Sequence, residues 1–426
     1  MAQTFGATAC RRRSGIGAAM DFEENPQDAA YRADVRAWLA QNAPCFAPLP
    51  DVSEAELLRL TRAWTAHKAD AGYVGFTLPQ SLGGRGGTPL EEVIFYEEQA
   101  KVAVPHIETF NLGPGVAVHT LMKHAHPEHV SRLAGPTLRG EIVWCQLFSE
   151  PSAGSDVAAI RTRAVRDGEE WVVNGQKVWT SGAHIADWGM LLTRTDPERP
   201  KHQGLTFFIV HMKSPGVVVR PLKQMWGRFE FNEVFFTDVR IPDHQRLGEV
   251  NGGWQVVLTT LMNERLSLLN DRTVGRNLVG PLLRLAKRIP GPNGGTLAED
   301  SGFCDRLASY YAAVAGVDHI RKRIFTTLAK GQPPGPEATI GKSTVARLLQ
   351  EMGMFGMDIA GMAGQVMDDD DPDLAEIQDG FFTATGYRMG GGTEEISKNI
   401  LAERVLGLPQ DIRIDKSLPF NQSPGR

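Results

Sequence analysis

Cysteine is scarce in this 426-residue chain: only Cys10, Cys45, Cys145 and Cys304. No two are spaced as metal ligands, and four scattered thiols make no disulfide framework. That usage fits a reducing compartment, so a cytoplasmic location is expected. There is no run of about 18 apolar residues, which removes a transmembrane helix from consideration. An excess of one charge is missing too: 45 Lys and Arg against 50 Asp and Glu leave a net −5, which gives no reason to expect nucleic acid as a partner. Internal repeats and extended low-complexity segments are absent.

Several motifs stop short of a chemistry they suggest. Gly83-Gly84-Arg85-Gly86-Gly87 lacks the Lys-Ser/Thr that would make it a P-loop, and it reads as a tight turn near a substrate entrance. His119, His124, His126 and His129 set no pair on one helix face with a fixed third ligand, so they are expected to be solvated. The acidic run Asp368 to Asp371 lacks EF-hand spacing and reads as a solvated loop. No metal is expected.

What is present is an ordinary globular composition, 42% apolar and 22% charged, in a chain long enough for two or three domains. Residues 1–21 carry Arg11-Arg12-Arg13 and no acid before Asp21. A targeting peptide has that composition, and so does a plain tail with Met20 as the truer start; the tail is the expectation. Helical spacing runs from Pro26 to Ala43. Ser53 with Glu56 forms a capping box that opens a second helix to about Ala71, and Thr88 with Glu91 forms another, with Pro89 at the first helical position and an end near Lys101. From Val143 to about Ile241 the period changes to two, with strands at Leu205–Val210, Val217–Val219 and Val234–Phe236; Pro242 ends the last. The helical period returns at Gly253 and lasts to about residue 410, with loops at Gly291–Asp300 and Met367–Asp373. The expected fold is α+β, mostly α: an N-terminal helical domain over 22–140, a β-barrel or sandwich over 141–250, a C-terminal four-helix bundle over 251–410 and a tail over 411–426.

The stretch from Glu141 to Trp188 is the most informative. Its small-residue loop, Pro151-Ser152-Ala153-Gly154-Ser155-Asp156, offers closely spaced N–H groups and the Ser155 hydroxyl, which suit a phosphate or pyrophosphate. Two alternating segments follow, joined at Asn174-Gly175, where a hairpin turn is expected. Trp179 sits beside Thr180-Ser181, a flat surface with hydroxyls that would fit a heteroaromatic ligand. A plain β-domain with a Ser/Gly turn and a core tryptophan would show the same residues. Further on, Val257, Leu261, Glu264 and Leu268 fall on one helix face. A carboxylate in such a stripe is either a buried ion-pair member or a general base whose pKa burial has raised.

Ser149-Glu150-Pro151, Ala153-Gly154-Ser155-Asp156, Asn174-Gly175-Gln176-Lys177 and Trp179-Thr180-Ser181 resemble, in order and spacing, the flavin-binding signature of the acyl-CoA dehydrogenase family. The resemblance covers about residues 26–410. It implies FAD as cofactor and α,β-dehydrogenation of an acyl-CoA thioester. Most members carry the catalytic glutamate before a C-terminal Gly-Thr, where this chain has Gly390-Gly391-Gly392-Thr393. A second branch carries it on the helix after the β-domain, just before an arginine, and Asn263-Glu264-Arg265 is similar to that. The resemblance therefore implies Glu264 as base, a backbone donor to the thioester oxygen at Gly391, and Arg265 near the CoA portion. By the same likeness, Gln146, Phe148 and Ser149 line the flavin ring, Trp179 covers it and Ser181 bonds near N5. Gly154 and Ser155 meet the pyrophosphate; Thr393 and Glu395 meet the adenosine end, although Thr393 also suits a helix N-cap.

The C-terminal Gly-Gly-Thr-Glu-Glu-Ile with Ala402-Glu403-Arg404-Val405-Leu406-Gly407 looks most like bacterial members acting on bulky or steroid acyl-CoAs. Two family features are absent: Arg-x-x-Phe-Gly between Asp271 and Phe303, and Gln-x-x-Gly-Gly-x-Gly, for which Gly356 to Gln365 holds only scattered glycines. In the family these come from a neighbouring subunit and clamp the ADP half of FAD. A homo-oligomer (dimer or tetramer) and a heterotetramer with a related chain both stay open, as do a non-catalytic partner subunit and an acyl-CoA oxidase. The resemblance implies electron-transfer flavoprotein as the electron acceptor.

Overall fold

The computed structural model describes residues 25–423, apart from 50–51, 271–276, 331, 333–334, 337–338, 368–370, 411 and 413–414. The tail expected over 1–21 lies outside the described residues. Local signals account for the first helices. Helix α1 (Pro26–Asn42) starts on the Asn25 cap with Pro at its first position. Helix α2 (Glu54–Asp70) is capped by Ser53, but the Glu56 carboxylate turns to Arg59 at 2.6 Å instead of closing a box. Helix α3 (Pro89–Gln99) has the full reciprocal box of Thr88 and Glu91. The Gly83–Gly87 turn is as tight as expected: a Cβ on Gly84 would lie 2.4 Å from the Leu78 carbonyl oxygen.

These helices pack through Trp38, Trp64, Tyr73 and Phe95 and are pinned by one acid. The Glu98 side chain, 2% exposed, takes Arg32 at 3.0 Å, Arg36 at 3.0 Å and Lys101 at 2.6 Å. Burial pushes its carboxyl up, but Arg36, Lys101 and Arg32 outweigh burial and hold it down at about 2, against an ordinary 4.5. Its stabilising contribution is therefore full above pH 4.5 and is lost as the pH falls through about 2. Acid titration followed by tryptophan near-UV circular dichroism should show a loss in that window. Glu98→Gln should lack that step and be less stable at neutral pH; an unchanged acid profile would remove the assignment.

Helices α4 (Thr109–Leu112) and α5 (Val118–His124) are joined without a break by a π turn over Gly113–Ala117, and α6 (Pro127–Leu138) follows. Pro114, inside the turn, has no N–H to give to an α-helical ladder. His129 corrects the expectation of solvated histidines: it is buried, stacks on His244 at 5.1 Å and meets the His244 carbonyl. His124 reaches Thr259 at 2.9 Å.

The middle of the chain forms β1 (Trp144–Leu147), β2 (Arg163–Asp167), β3 (Glu170–Ser181), β4 (Trp188–Arg194), β5 (Leu205–His211), β6 (Val217–Leu222), β7 (Phe231–Pro242) and β8 (Arg246–Leu247). They make one sheet, ordered β6-β7-β3-β2-β4-β5-β8 with β1 on β4. Its end strands β6 and β8 do not pair, so it does not close into a barrel. One face packs against helices through Phe148, Phe207 and Val257; the other buries Trp171, Phe208 and Val234.

The hairpin turn is not at Asn174-Gly175, which lies inside β3. The chain reverses at Gly168-Glu169, where Gly168 has φ +63, between the paired Asp167 and Glu170 of β2 and β3. Asn174 and Gly175 instead sit at a register shift against β7. Asn174 exchanges two 3.0 Å hydrogen bonds with Asp238. A Cβ on Gly175 would meet the Thr162 backbone at 2.7 Å, so this glycine serves close approach.

Helix α7 (Gly253–Asn270) leaves the sheet and packs beside α5 through Thr120 and Thr260. Helices α8 (Val279–Ala286), α9 (Ser301–Ala329), α10 (Thr339–Ala360) and α11 (Pro372–Met389) share a separate core around Leu282, Phe303, Leu349 and Ile377. Gly353 and Gly356 let α10 meet α11 closely: a Cβ there would lie 2.8 Å from Phe381 and 2.4 Å from Ile377. Asp368 to Asp370 lie outside the described residues. Asp371 is no solvated loop residue; it caps α11 and pairs with Arg288 at 3.0 Å. Helix α12 (Glu394–Ile400) follows and runs on into a π turn over Leu401–Val405. The segment expected as a tail is anchored where described: Phe420 lies 3.9 Å beneath the Arg194 guanidinium, and Lys201 bridges Asp415 and Asp156 at 2.9 Å each.

Candidate active site

Strand β1 and helix α7 bring the first two site residues together. Gln146, on β1, donates from Nε2 to the Glu264 carboxylate at 3.2 Å. Val257, one face-repeat earlier, is fully buried and Leu261 packs against the same core. Glu264 itself is half-buried, so the apolar stripe leads up to an acid at the edge of the core. The side chains of Leu268 and Arg265 lie outside those described.

A lysine not singled out in the sequence joins them. Lys342, in the first turn of α10, donates to the Gly392 carbonyl. Burial pushes its ammonium down, and the charges of Glu264, Glu394 and Glu395 oppose that. This cation ties the glycine turn before α12 electrostatically to the acid on α7. Gly391 in that turn has φ +63, a left-handed conformation that a side chain strains. Thr393 takes the N-cap role, its hydroxyl accepting from the Ile396 N–H at 3.2 Å. Glu395 is exposed on the first turn of α12.

The other candidates lie along the loop after β1 and the end of β3. The Phe148 ring is buried against Phe207, and its backbone carbonyl accepts from Lys177 at 3.1 Å. The Ser149 carbonyl accepts from the Val178 N–H at 2.9 Å, fastening the loop to β3. Gly154 and Ser155 are exposed, and nothing lies within 4 Å of a Cβ built on Gly154. Trp179 is no core tryptophan. It is 62% exposed and sits at φ +59 on a bulge, edge-on to Phe231 at 5.9 Å. A bulky residue held in left-handed backbone and turned to solvent costs about 1–3 kcal/mol, the kind of strain kept at ligand sites. Ser181, two residues on, is exposed as well. An open Gly-Ser loop beside an exposed indole and hydroxyl fits a flavin with its pyrophosphate.

The buried support of this surface is an ion pair. The Glu150 carboxylate, on a residue 6% exposed, accepts from the Arg161 and Thr162 N–H groups at 2.6 and 2.9 Å. Lys177, 0% exposed, donates to it at 2.8 Å. Burial pushes the Glu150 carboxyl up, but Lys177 and the N–H donors hold it below its ordinary value. Burial pushes Lys177 down to about 8 against the pull of Glu150, so both stay charged at neutral pH.

Comparison with known proteins adds an independent line. Residues 25–141, 145–239 and 251–406 match, in turn, the N-terminal, middle and C-terminal domains of acyl-CoA dehydrogenases. "Acyl-CoA dehydrogenase IpdE1" of Mycobacterium tuberculosis is 37% identical over 399 residues, 90% of this chain and 98% of that protein. "Acyl-CoA dehydrogenase FadE34" of the same organism is 38% identical over 328 residues, 77% of this chain; the match spans only 44% of that longer protein. Among solved structures, the "Tcur3481-Tcur3483 steroid ACAD" aligns with TM-score 0.77 at 26% identity, over 92% of this chain and 100% of that one. The ChsE4-ChsE5 complex from Mycobacterium tuberculosis aligns with TM-score 0.77 at 27% identity and the same coverage.

Proposed function

The chain belongs to the acyl-CoA dehydrogenase family and is a FAD-dependent acyl-CoA dehydrogenase, and from that premise we propose that Glu264 is its base. The observation that carries this is the 3.2 Å contact between Gln146 and Glu264. It sets the α7 carboxylate at the strand from which the flavin signature runs. FAD, when bound, supplies the acceptor for the β-hydride. The chain's residues do the rest. Glu264 takes the α-proton, Gln146 orients its carboxylate, and Lys342 steadies the negative charge. The Gly391 N–H donates to the thioester oxygen, and a glycine allows the backbone to approach that oxygen closely. Arg265 holds the CoA portion. The backbone at Phe148 and the Ser149, Trp179 and Ser181 side chains hold the flavin ring. Gly154 and Ser155 take the pyrophosphate, and Thr393 and Glu395 the adenosine end.

The reading extends to substrate and partners. The steroid acyl-CoA dehydrogenase among the structural neighbours supports a bulky, steroid-like acyl group. Two neighbours are pairs of chains. With the two ADP-clamp motifs missing here, that supports assembly with a related chain that completes the FAD site. Electron-transfer flavoprotein is the proposed acceptor and the cytoplasm the proposed location; among the described residues no helix is long and apolar enough to cross a membrane. Co-expressed with a related chain, the protein should purify yellow, and its flavin band should bleach anaerobically with a steroid acyl-CoA. Bleaching by straight-chain thioesters alone would sink the substrate assignment.

A further inference from the structure

A cavity of about 200 Å³ lies between α2, α3, the start of α4, the π turn and α7. Ser267 closes its α7 side, against Gly115 of the π turn: a Cβ there would lie 2.5 Å from the Ser267 hydroxyl. Ser267 is one helical turn beyond Glu264 on α7, so the α7 wall of the cavity lies about one turn from the proposed base.

Its wall holds a buried lysine that has no ion pair among the described residues. Lys68 is 9% exposed. Its ammonium stands 5.8 Å from the Trp64 ring and 6.0 Å from Phe95. Among the described residues it makes no ion pair; burial alone acts on it and pushes it down to about 8. Glu92 and His106 are the other ionisable residues of the wall, and neither acts on Lys68 against its burial. On the same wall the Gln99 side-chain oxygen is buried without a hydrogen-bond partner. Burying an ammonium without an ion-pair contact is costly, and two flat rings offset only part of it. A cavity walled largely by apolar and aromatic groups, with this ammonium in its wall, suits a ligand that ends in the opposite charge.

We propose that this cavity takes the far end of the acyl group, and that this end carries a carboxylate met by the Lys68 ammonium. The proposal rests on the reading of Glu264 as base and deepens it by naming a substrate class: acyl-CoA thioesters with a second, distal carboxyl group.

The test uses the FAD-loaded protein and three matched series of CoA thioesters: chains ending in a carboxylate, in a methyl ketone and in a methyl group. Wild type should bind the carboxylate series on the order of 10- to 100-fold more tightly than the methyl series. Lys68→Met should abolish that preference, leave methyl-series binding unchanged, and raise the melting temperature of the ligand-free protein by removing a buried charge. Lys68→Arg should keep part of the preference. Equal binding of the carboxylate and methyl series, or a ketone series as tight as the carboxylate one, overturns the proposal. So does a Lys68→Met variant that melts lower and weakens all series alike, because the lysine is then structural. Repeating the binding in Glu264→Gln separates the two readings. A preference that persists while that variant turns over normally removes the base and keeps the cavity.

Discussion

Glu264→Gln should bind FAD as wild type does and lose turnover by on the order of a hundred- to ten-thousandfold, the usual contribution of a positioned general base. Glutamine keeps the shape of the side chain and can still meet Gln146, which donates to Glu264 at 3.2 Å. What it loses is the ability to accept a proton, so the loss should fall on kcat, with KM changing little. Flavin content should not change, because the surface around Gly154, Ser155 and Trp179 lies on other elements. Flavin bleaching by acyl-CoA in stopped flow checks this directly; wild-type bleaching in the variant removes Glu264 from the mechanism. The C-terminal turn offers no simple substitute for the base. Gly391 lies at φ +63, so Gly391→Glu forces a side chain onto left-handed backbone and carries that strain into any rescue of Glu264→Gln.

Helical period sets Glu264 on the face of Val257 and Leu261, where an ion-pair member would sit as well; the family resemblance is what singles it out as the proposed base. Its charged neighbour is not legible in either way. Lys342 reaches Gly392 and acts on Glu264 only through the docking of α10 beside α12, and nothing local to Gly341-Lys342-Ser343 marks that contact. Capping chemistry made the N-terminal helices legible for the opposite reason, since Thr88 and Glu91 decide a helix start between themselves. Asn174-Gly175 carries strong turn propensity yet stays in a strand, because tertiary contact decides: Gly168 opens the two-residue loop Gly168-Glu169 on left-handed backbone, while Gly175 lies against Thr162 inside β3. The anchoring of Phe420 beneath Arg194 was invisible in the same way, since a polar C-terminal stretch shows no period that reports its dock.

Lys177→Met should destabilise the protein by about 3–5 kcal/mol, the cost of removing one member of a buried ion pair. The variant leaves the Glu150 carboxylate, 6% exposed, with the Arg161 and Thr162 N–H groups at 2.6 and 2.9 Å and no cation. It also removes the donor to the Phe148 carbonyl at 3.1 Å. Both losses fall on the chain that carries Ser149 and the Gly154-Ser155 loop, so FAD affinity should fall along with stability. Glu150→Gln in the same background removes the stranded charge. The double variant should therefore be more stable than Lys177→Met alone, and the two effects strongly non-additive. Denaturant unfolding of the four proteins measures the coupling. Additive losses would mean that each side chain is held by its own hydrogen bonds and that the pair does not brace the loop. Flavin release should track the coupling: if Lys177→Met unfolds earlier but retains FAD as tightly as wild type, the loop is fixed by other contacts, such as the Val178 N–H to the Ser149 carbonyl.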